Sequence, residues 1–179
     1  MNTIPLKNID ITSTPVGGVA YAWSDQGLHR LAFVGDAPLR EAQTFLNLSP
    51  QPLSLQGDQA IKDAVFHYFK GDPKALSEIP LVLEGSEFQM LVWRTACEIP
   101  FGQTRYYGDI SARLNRFNGA RAVGMALNKN PIPLFVPCHR IISKTGALSG
   151  YVGGLQRKRK LIAHESKSDV AEQTALPWF

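Results

Sequence analysis

The feature that most narrows the fold is a pair of short helical segments with a turn-rich break between them, followed by an apolar run that ends on a cysteine. Gly108 to Leu114 reads as one short helix, with Ile110 and Leu114 on one face. Asn115 to Gly119 breaks it, and Ala120 to Lys129 reads as a second helix. Helix, glycine-containing turn, helix is the outline of a helix-turn-helix, an outline that any two packed helices share. Pro133-Leu134-Phe135-Val136 reads as a strand that carries Pro137-Cys138-His139-Arg140 at its end. A loop with Gly146, Gly150, Gly153 and Gly154 follows. Leu155 to His164 then reads as a helix with Leu155, Leu161 and Ile162 facing inward.

The first half has a different texture. Val19-Ala20-Tyr21-Ala22-Trp23 and Leu28 to Phe33 flank Ser24-Asp25-Gln26-Gly27, which predicts a hairpin. Leu39 to Leu48 reads as a helix, and Pro50 to Gln56 as a strand or loop. Asp58 to Phe69 reads as a helix with Ile61, Val65, Phe66 and Phe69 on one stripe, stopped by Gly71-Asp72-Pro73. Residues 1–84 thus form a small α/β unit without a catalytic constellation, and His29 and His67 read as structural or surface residues. Gly85-Ser86 opens a second unit, residues 85–168, and residues 169–179 read as a tail. Ser86 or Glu87 is placed to cap a helix carrying Phe88, Leu91, Val92, Thr95 and Ala96, which ends at Pro100-Phe101-Gly102. Cys97 falls on this apolar stretch and reads as a small buried hydrophobe.

Composition excludes several classes. With 44% hydrophobic and 19% charged residues in 179, the chain folds rather than staying disordered. No apolar run approaches the roughly 20 residues that span a bilayer. MNTIPLKNIDITSTP lacks the basic start, apolar stretch and cleavage site of a secretion signal, so a cytoplasmic protein is expected, or a nuclear one in a eukaryote. The net charge is +4. The second half carries Arg94, Arg105, Arg113, Arg116, Arg121, Lys129, Arg140, Lys144 and the run Arg157-Lys158-Arg159-Lys160, which makes it the better candidate for a phosphate-facing surface. The two cysteines, Cys97 and Cys138, form no Cys-x-x-Cys motif and have no close histidine pair, so neither zinc nor a disulfide is expected.

Two segments carry possible chemistry. Only the thiolate of a cysteine is a good nucleophile, and an adjacent base can generate it. His139 follows Cys138 directly, yet neighbouring side chains on a strand point apart. The pair is therefore either a nucleophile working through a bridging water or an inert buried thiol beside an incidental histidine. The second helix, Ala120-Arg121-Ala122-Val123-Gly124-Met125-Ala126-Leu127, lacks the polar row of a major-groove reader. Its small side chains suit either close approach to a narrow groove or tight packing inside the protein.

Taken together and in register, these segments resemble the O6-alkylguanine-DNA alkyltransferases, or methylated-DNA–protein-cysteine methyltransferases. The resemblance rests on Ala120-Arg121-Ala122-Val123-Gly124, Asn130-Pro131-Ile132-Pro133, Pro137-Cys138-His139-Arg140, Gly150-Tyr151-Val152-Gly153-Gly154-Leu155 and His164-Glu165. It covers about Ser86 to Glu165 strongly, and the first half loosely through Thr14-Pro15-Val16-Gly17 and the hairpin. It implies an α/β N-terminal domain, a small antiparallel sheet with helices and ribonuclease H-like, plus a mainly α, winged-helix-like C-terminal domain with a helix-turn-helix. It implies a monomer on double-stranded DNA containing alkylated guanine, with O4-alkylthymine a second candidate substrate.

The resemblance also implies roles. Cys138 would accept the alkyl group once and keep it. His139 would deprotonate Cys138 through a water, and Glu165 would orient His139. Asn130 would link the helix-turn-helix to the cysteine. Tyr107 would crowd the target phosphate and give a proton to the leaving guanine. Arg121 would fill the gap left by the flipped base, with Ala120, Ala122, Gly124 and Leu127 along the DNA. Tyr151, Val152, Gly153 and Ile141 would wall the pocket. No metal and no cofactor is implied, since the family's metal-bearing variants use extra cysteines. The chain departs from the family at Met125, at Arg159-Lys160 and at Ser166, none of which touches this chemistry. The rival readings are a binding-only relative, a winged-helix regulator and a cysteine hydrolase. Cys138 with His139 and Glu165 speaks against the first two, and the basic second half against the third.

Overall fold

The computed structural model describes residues 8–36, 41–46, 58–146, 148 and 150–166. Its first half is built on a three-stranded antiparallel sheet in chain order, β1 (Asn8–Thr12), β2 (Gly18–Ser24) and β3 (Gly27–Gly35). β2 and β3 are the predicted hairpin, turning through Asp25 and Gln26 with Ser24 opposite Gly27. Gly27 has φ 131°, and a Cβ there would lie 2.2 Å from the Pro80 carbonyl oxygen. The Leu28 N–H donates to that oxygen at 2.9 Å, so the hairpin end is tied to the segment that enters the second half. β1 is a strand that the hairpin pattern does not announce, short and polar at Asn8 and Asp10.

Side chains alternate across a strand, and β2 uses both faces. Val19 and Tyr21 pack towards the helix α2 (Gln59–Phe69). Ala20 and Ala22 face the other way, with Ala42 and Leu46 at α1 (Ala42–Phe45). Only this part of the helix expected over 39–48 is described, and the segment 50–56 lies outside the described residues. Asp58 caps α2 by accepting from the Ile61 N–H at 3.0 Å. The buried stripe is Ile61, Ala64, Val65 and Tyr68, the i, i+3, i+4, i+7 spacing of one helix face. Phe66, expected inside, is exposed, because that stripe runs through Tyr68 instead.

Ser86 starts α3 (Glu87–Cys97) with a capping box: Ser86 Oγ accepts from Gln89 N, and Gln89 Oε1 from Ser86 N. Val92, Trp93, Thr95 and Ala96 point inward, and Trp93 Nε1 donates to the Ala126 carbonyl at 3.0 Å. Leu91 is exposed, as is Cys97 at the helix end, which corrects the buried-hydrophobe reading of Cys97. A two-residue strand β4 (Arg105–Tyr106) leads into α4 (Tyr107–Arg113) and then α5 (Ala120–Asn128). The break between these helices contains Asn115 at φ 53° and Asn118 at φ 64°, left-handed conformations that a short amide tolerates. Ser111 Oγ holds the break by accepting from Gly119 N and donating to the Arg116 carbonyl.

The run 133–136 is not a strand. Pro131 and Pro133 lack N–H donors for a ladder, Leu134 sits at φ 84°, and Pro133 bridges to Val136 within the segment. The chain thus reverses, enters a 3-10 turn over Cys138–Arg140, and forms β5 (Ile141–Ile142), parallel to β4. The last element is α6 (Leu155–Ser166), which buries Lys158, Leu161 and Glu165. Leu155, expected inward, is 42% exposed at its first turn. The tail 169–179 lies outside the described residues.

Both halves share one core. Val16, Leu31, Val65 and Tyr68 of the first half pack with Ile132, Leu134, Phe135 and Leu161 of the second. A second cluster joins α3, α4 and α5 to Cys138 and Ile141. No helix among the described residues is long and apolar enough to cross a membrane.

Candidate active site

The turn that replaces the expected strand puts Cys138 at the floor of the second core. Its N–H donates to the Val136 carbonyl at 2.7 Å, and its side chain is 4% exposed. Asn130, just past α5, is buried and makes three bonds. Nδ2 donates to the Cys138 Sγ at 3.2 Å and to the Val136 carbonyl at 2.9 Å, while Oδ1 accepts from Ile132 N at 3.0 Å. One amide thus couples the end of α5 to the thiol and to the reversal that carries it. Burial pushes the Cys138 thiol up to about 11, opposed by the Asn130 bond and the Lys158 charge, so at rest the sulfur is protonated.

His139 is fully buried beside it. Its Nε2 lies 2.8 Å from Glu165 Oε1. Burial by itself would raise the Glu165 pKa, but the hydrogen bonds and charges of His139 and Arg140 hold the carboxyl well below the usual range. An ionised carboxylate only accepts, so Nε2 carries the proton and donates, leaving Nδ1 as the basic nitrogen. Nδ1 has no hydrogen-bond partner among the described residues. Burial lowers the His139 pKa more than the Glu165 bond raises it, so the ring is neutral near pH 7 and able to take a proton.

Glu165 is more heavily engaged than the cysteine or the histidine. Arg140 donates to it from Nε (2.9 Å, to Oε2) and Nη2 (3.0 Å, to Oε1). Gly102 N donates to Oε2 at 3.2 Å, and Tyr68 OH to Oε1 at 2.7 Å. Arg140 Nη1 also donates to the Ile99 carbonyl at 2.6 Å. Lys158, whose charge acts on the thiol, is buried and donates to the Ile141 carbonyl at 2.6 Å. Its Nζ lies 3.5 Å from the Tyr107 hydroxyl. Arg140 and Lys158 therefore belong to the interior, which corrects the expectation that they face phosphate.

One face of α5 stays open. Arg121, Ala122 and Met125 are exposed, Ala120 and Gly124 half-buried, and Phe117 in the preceding break is 82% exposed. Leu127, expected on that open face, is 4% exposed and packs inward with Val123 and Ala126, because its position completes the apolar stripe of the helix. The glycine loop lies beside His139. Tyr151 meets the His139 ring edge-on at 6.4 Å between centroids and Phe33 of β3 at 6.1 Å. Gly153 is buried so closely that a Cβ would lie 2.6 Å from both Phe33 and Tyr151. Val152 is half exposed at the loop's outer side. Arg157 clamps this loop, donating from Nη1 to the Gly153 carbonyl at 3.0 Å and from Nε to the Val16 carbonyl at 2.9 Å.

A thiol, a neutral base with its carboxylate, and an open helix of small residues are the parts this sequence pattern led us to expect, and known proteins carry the same pattern. The profile of a family described as 6-O-methylguanine DNA methyltransferase, DNA binding domain, matches residues 87–167. A methylated-DNA–protein-cysteine methyltransferase of Mycolicibacterium paratuberculosis is 38% identical over 161 residues, which cover 90% of this chain and 93% of that protein. This chain belongs to that family. An inducible methyltransferase of the family from Bacillus subtilis is 36% identical, covering 79% of this chain and 82% of its own. Among solved structures, Mycobacterium tuberculosis OGT in complex with DNA superposes with a TM-score of 0.75 at 31% identity, covering 90% of this chain and 94% of that one. The O6-methylguanine-DNA methyltransferase of Pyrococcus kodakaraensis gives 0.70 at 25% identity, covering 88% and 98%.

Of the residues singled out in the sequence, Asn130 is hydrogen-bonded to Cys138 and His139 to Glu165, Tyr107 and Ile141 share the Cys138 cluster, and Tyr151, with Gly153 against it, packs on the His139 ring. Three residues of the site were missed: Tyr68, Arg140 in its true place, and Lys158. For Lys158 a signal existed. It sits three residues before Leu161 and seven before Glu165, on the inward face of α6.

Proposed function

We propose that this protein repairs alkylated DNA by moving a methyl or other alkyl group from guanine O6 to Cys138, once per molecule. The observation that carries the reading is the pair of contacts on adjacent residues, Asn130 Nδ2 to Cys138 Sγ and His139 Nε2 to Glu165. They give a buried thiol a hydrogen-bond donor on sulfur and a neutral base next door whose second nitrogen is anchored. This is the logic of an activated nucleophile.

The reacting carbon points inward in a duplex, so the nucleotide must leave the stack. Arg121 on the open face of α5 fills the gap, and Ala120, Ala122 and Gly124 let the helix lie close in the groove. The Cys138 proton passes through a water to His139 Nδ1, and Glu165 stabilises the imidazolium. The thiolate attacks the alkyl carbon, the S–C bond forms as the C–O bond breaks, and the guanine anion takes a proton from the Tyr107 hydroxyl. Tyr151, Val152, Gly153 and Ile141 wall the base. The product is a thioether, which a histidine and water do not hydrolyse, so the reaction is stoichiometric. No step calls for a metal or cofactor.

On this reading the chain divides near residue 84. The antiparallel sheet with its helices supports a ribonuclease H-like first unit, and α4 and α5 with the small β4–β5 pair support a winged-helix-like second one. The protein acts as a monomer, wherever the cell keeps its DNA. Alkylguanine is the substrate rather than undamaged DNA because only an alkylated O6 offers an electrophilic carbon to the thiol. The test is intact mass after incubation with duplex DNA containing O6-methylguanine. One methyl is expected on Cys138 and none in Cys138→Ala. No gain of mass by the folded wild-type protein would overturn the reading and leave binding without transfer.

A further inference from the structure

Tyr68 belongs to α2, in the half of the chain that held no catalytic constellation by sequence. Its ring is 1% exposed, against Phe69, Phe101 and His164 at centroid distances of 4.9, 5.6 and 5.3 Å. A buried phenol needs a partner for its hydroxyl, and any backbone carbonyl would serve. Tyr68 instead donates, at 2.7 Å, to the same Glu165 oxygen that accepts from His139 Nε2 at 2.8 Å. Burial and the Glu165 charge raise its own ionisation far above the ordinary value, so it acts only as a donor.

We propose that Tyr68 is a positioning residue of the alkyl-transfer site: from the first half of the chain it shares Glu165 Oε1 with His139 and thereby sets the basicity of that histidine. The argument rests on the function proposed above. Each donor on a carboxylate oxygen draws down the charge available to the others. With Tyr68 in place, Glu165 stabilises the His139 imidazolium less, and His139 remains neutral and able to accept the Cys138 proton at lower pH. The other charged or titratable groups around the pair are Arg140 on the 3-10 turn, Lys158 and His164 on α6, Tyr151 on the pocket loop and Cys138 itself. None of them puts a neutral hydroxyl on Oε1. The first half thus supplies part of the relay as well as a wall of the core.

The experiment uses full-length protein and Tyr68→Phe, which keeps the ring and removes the hydroxyl. The single-turnover rate of methyl transfer from duplex DNA is followed by intact mass across pH. The acidic limb is expected to move to higher pH by about half a unit, since only part of the lost hydrogen bond is felt at the His139 equilibrium. Transfer would then be about threefold slower below the limb and unchanged above it. An unmoved limb in a folded variant would overturn the proposal and leave Tyr68 purely structural. Should Tyr68→Phe fail to fold, 3,5-difluorotyrosine at position 68 decides. Its stronger donor is expected to move the limb to lower pH, and an unmoved limb overturns the proposal. Wild-type protein that takes up no methyl would instead defeat the function itself.

Discussion

Arg121 stands on the open face of α5, one residue into the helix, where its charge can enter a duplex without first leaving a partner among the described residues. If it fills the space of a flipped base, its loss matters only when there is a stack to replace. Arg121→Ala should slow transfer from duplex DNA by about tenfold or more, the scale of a few kcal/mol of unstacking. Transfer from the free base O6-methylguanine should stay near the wild-type rate. Equal slowing of both would contradict a flipping role. At this scale Cys138 with His139 was legible as a candidate pair because the two adjoin, while the roles expected of Asn130 and Glu165 came only with the family resemblance. It was not legible where a side chain crosses the fold. Tyr68 reaches Glu165 across 97 residues, and no local pattern marks that contact.

The elements divide in a similar way. The hairpin, the Asp58 and Ser86 caps and the two helices around the break follow from turn chemistry and helical spacing, which are local. Gly27 shows how tight the local demand is. Gly27→Ala would need a strained φ and would drive a methyl into the Pro80 carbonyl. It should destabilise the protein by about 1–3 kcal/mol, read as a lower urea midpoint, and an unchanged midpoint would show that the hairpin end can shift freely. The run 133–136 was misread because its apolar residues suit a strand, while two prolines and a buried Asn130 deny it ladder partners. Phe66, Cys97 and Leu155 were misread for another reason. Hydrophobicity names the residues able to be buried, and packing selects those that are.

For the molecule as a whole, the buried titratable groups tie stability to pH. His139 is held below its ordinary 6.5 by burial, and His29 likewise, so the unfolded chain binds these protons more readily. Glu165 is held below its ordinary 4.5, and unfolding releases it to protonate there. All three depressions act with one sign: stability is present above the ordinary values and lost as pH falls. The urea midpoint should decline below about pH 6.5 and again below about pH 4.5. His139→Gln should remove part of the first decline, and a midpoint that rises between pH 7 and pH 5 would contradict this account. The alkylated product should also be weaker. A methyl on buried Cys138 overfills the second core and crowds the Asn130 Nδ2 contact with its sulfur. About 1–3 kcal/mol of lost stability is expected, visible as a lower melting temperature for the reacted protein. The sequence by itself determined the hairpin and the helix-turn-helix outline, because each rests on neighbours in the chain or on a fixed period, while Cys138 and His139 stayed open between a nucleophile with its base and an inert pair until the family resemblance was added. Only the tertiary structure decided what Glu165 serves besides His139. It gathers Tyr68, Gly102, His139 and Arg140 on one carboxylate, because a buried charge draws donors from wherever the packed core can supply them.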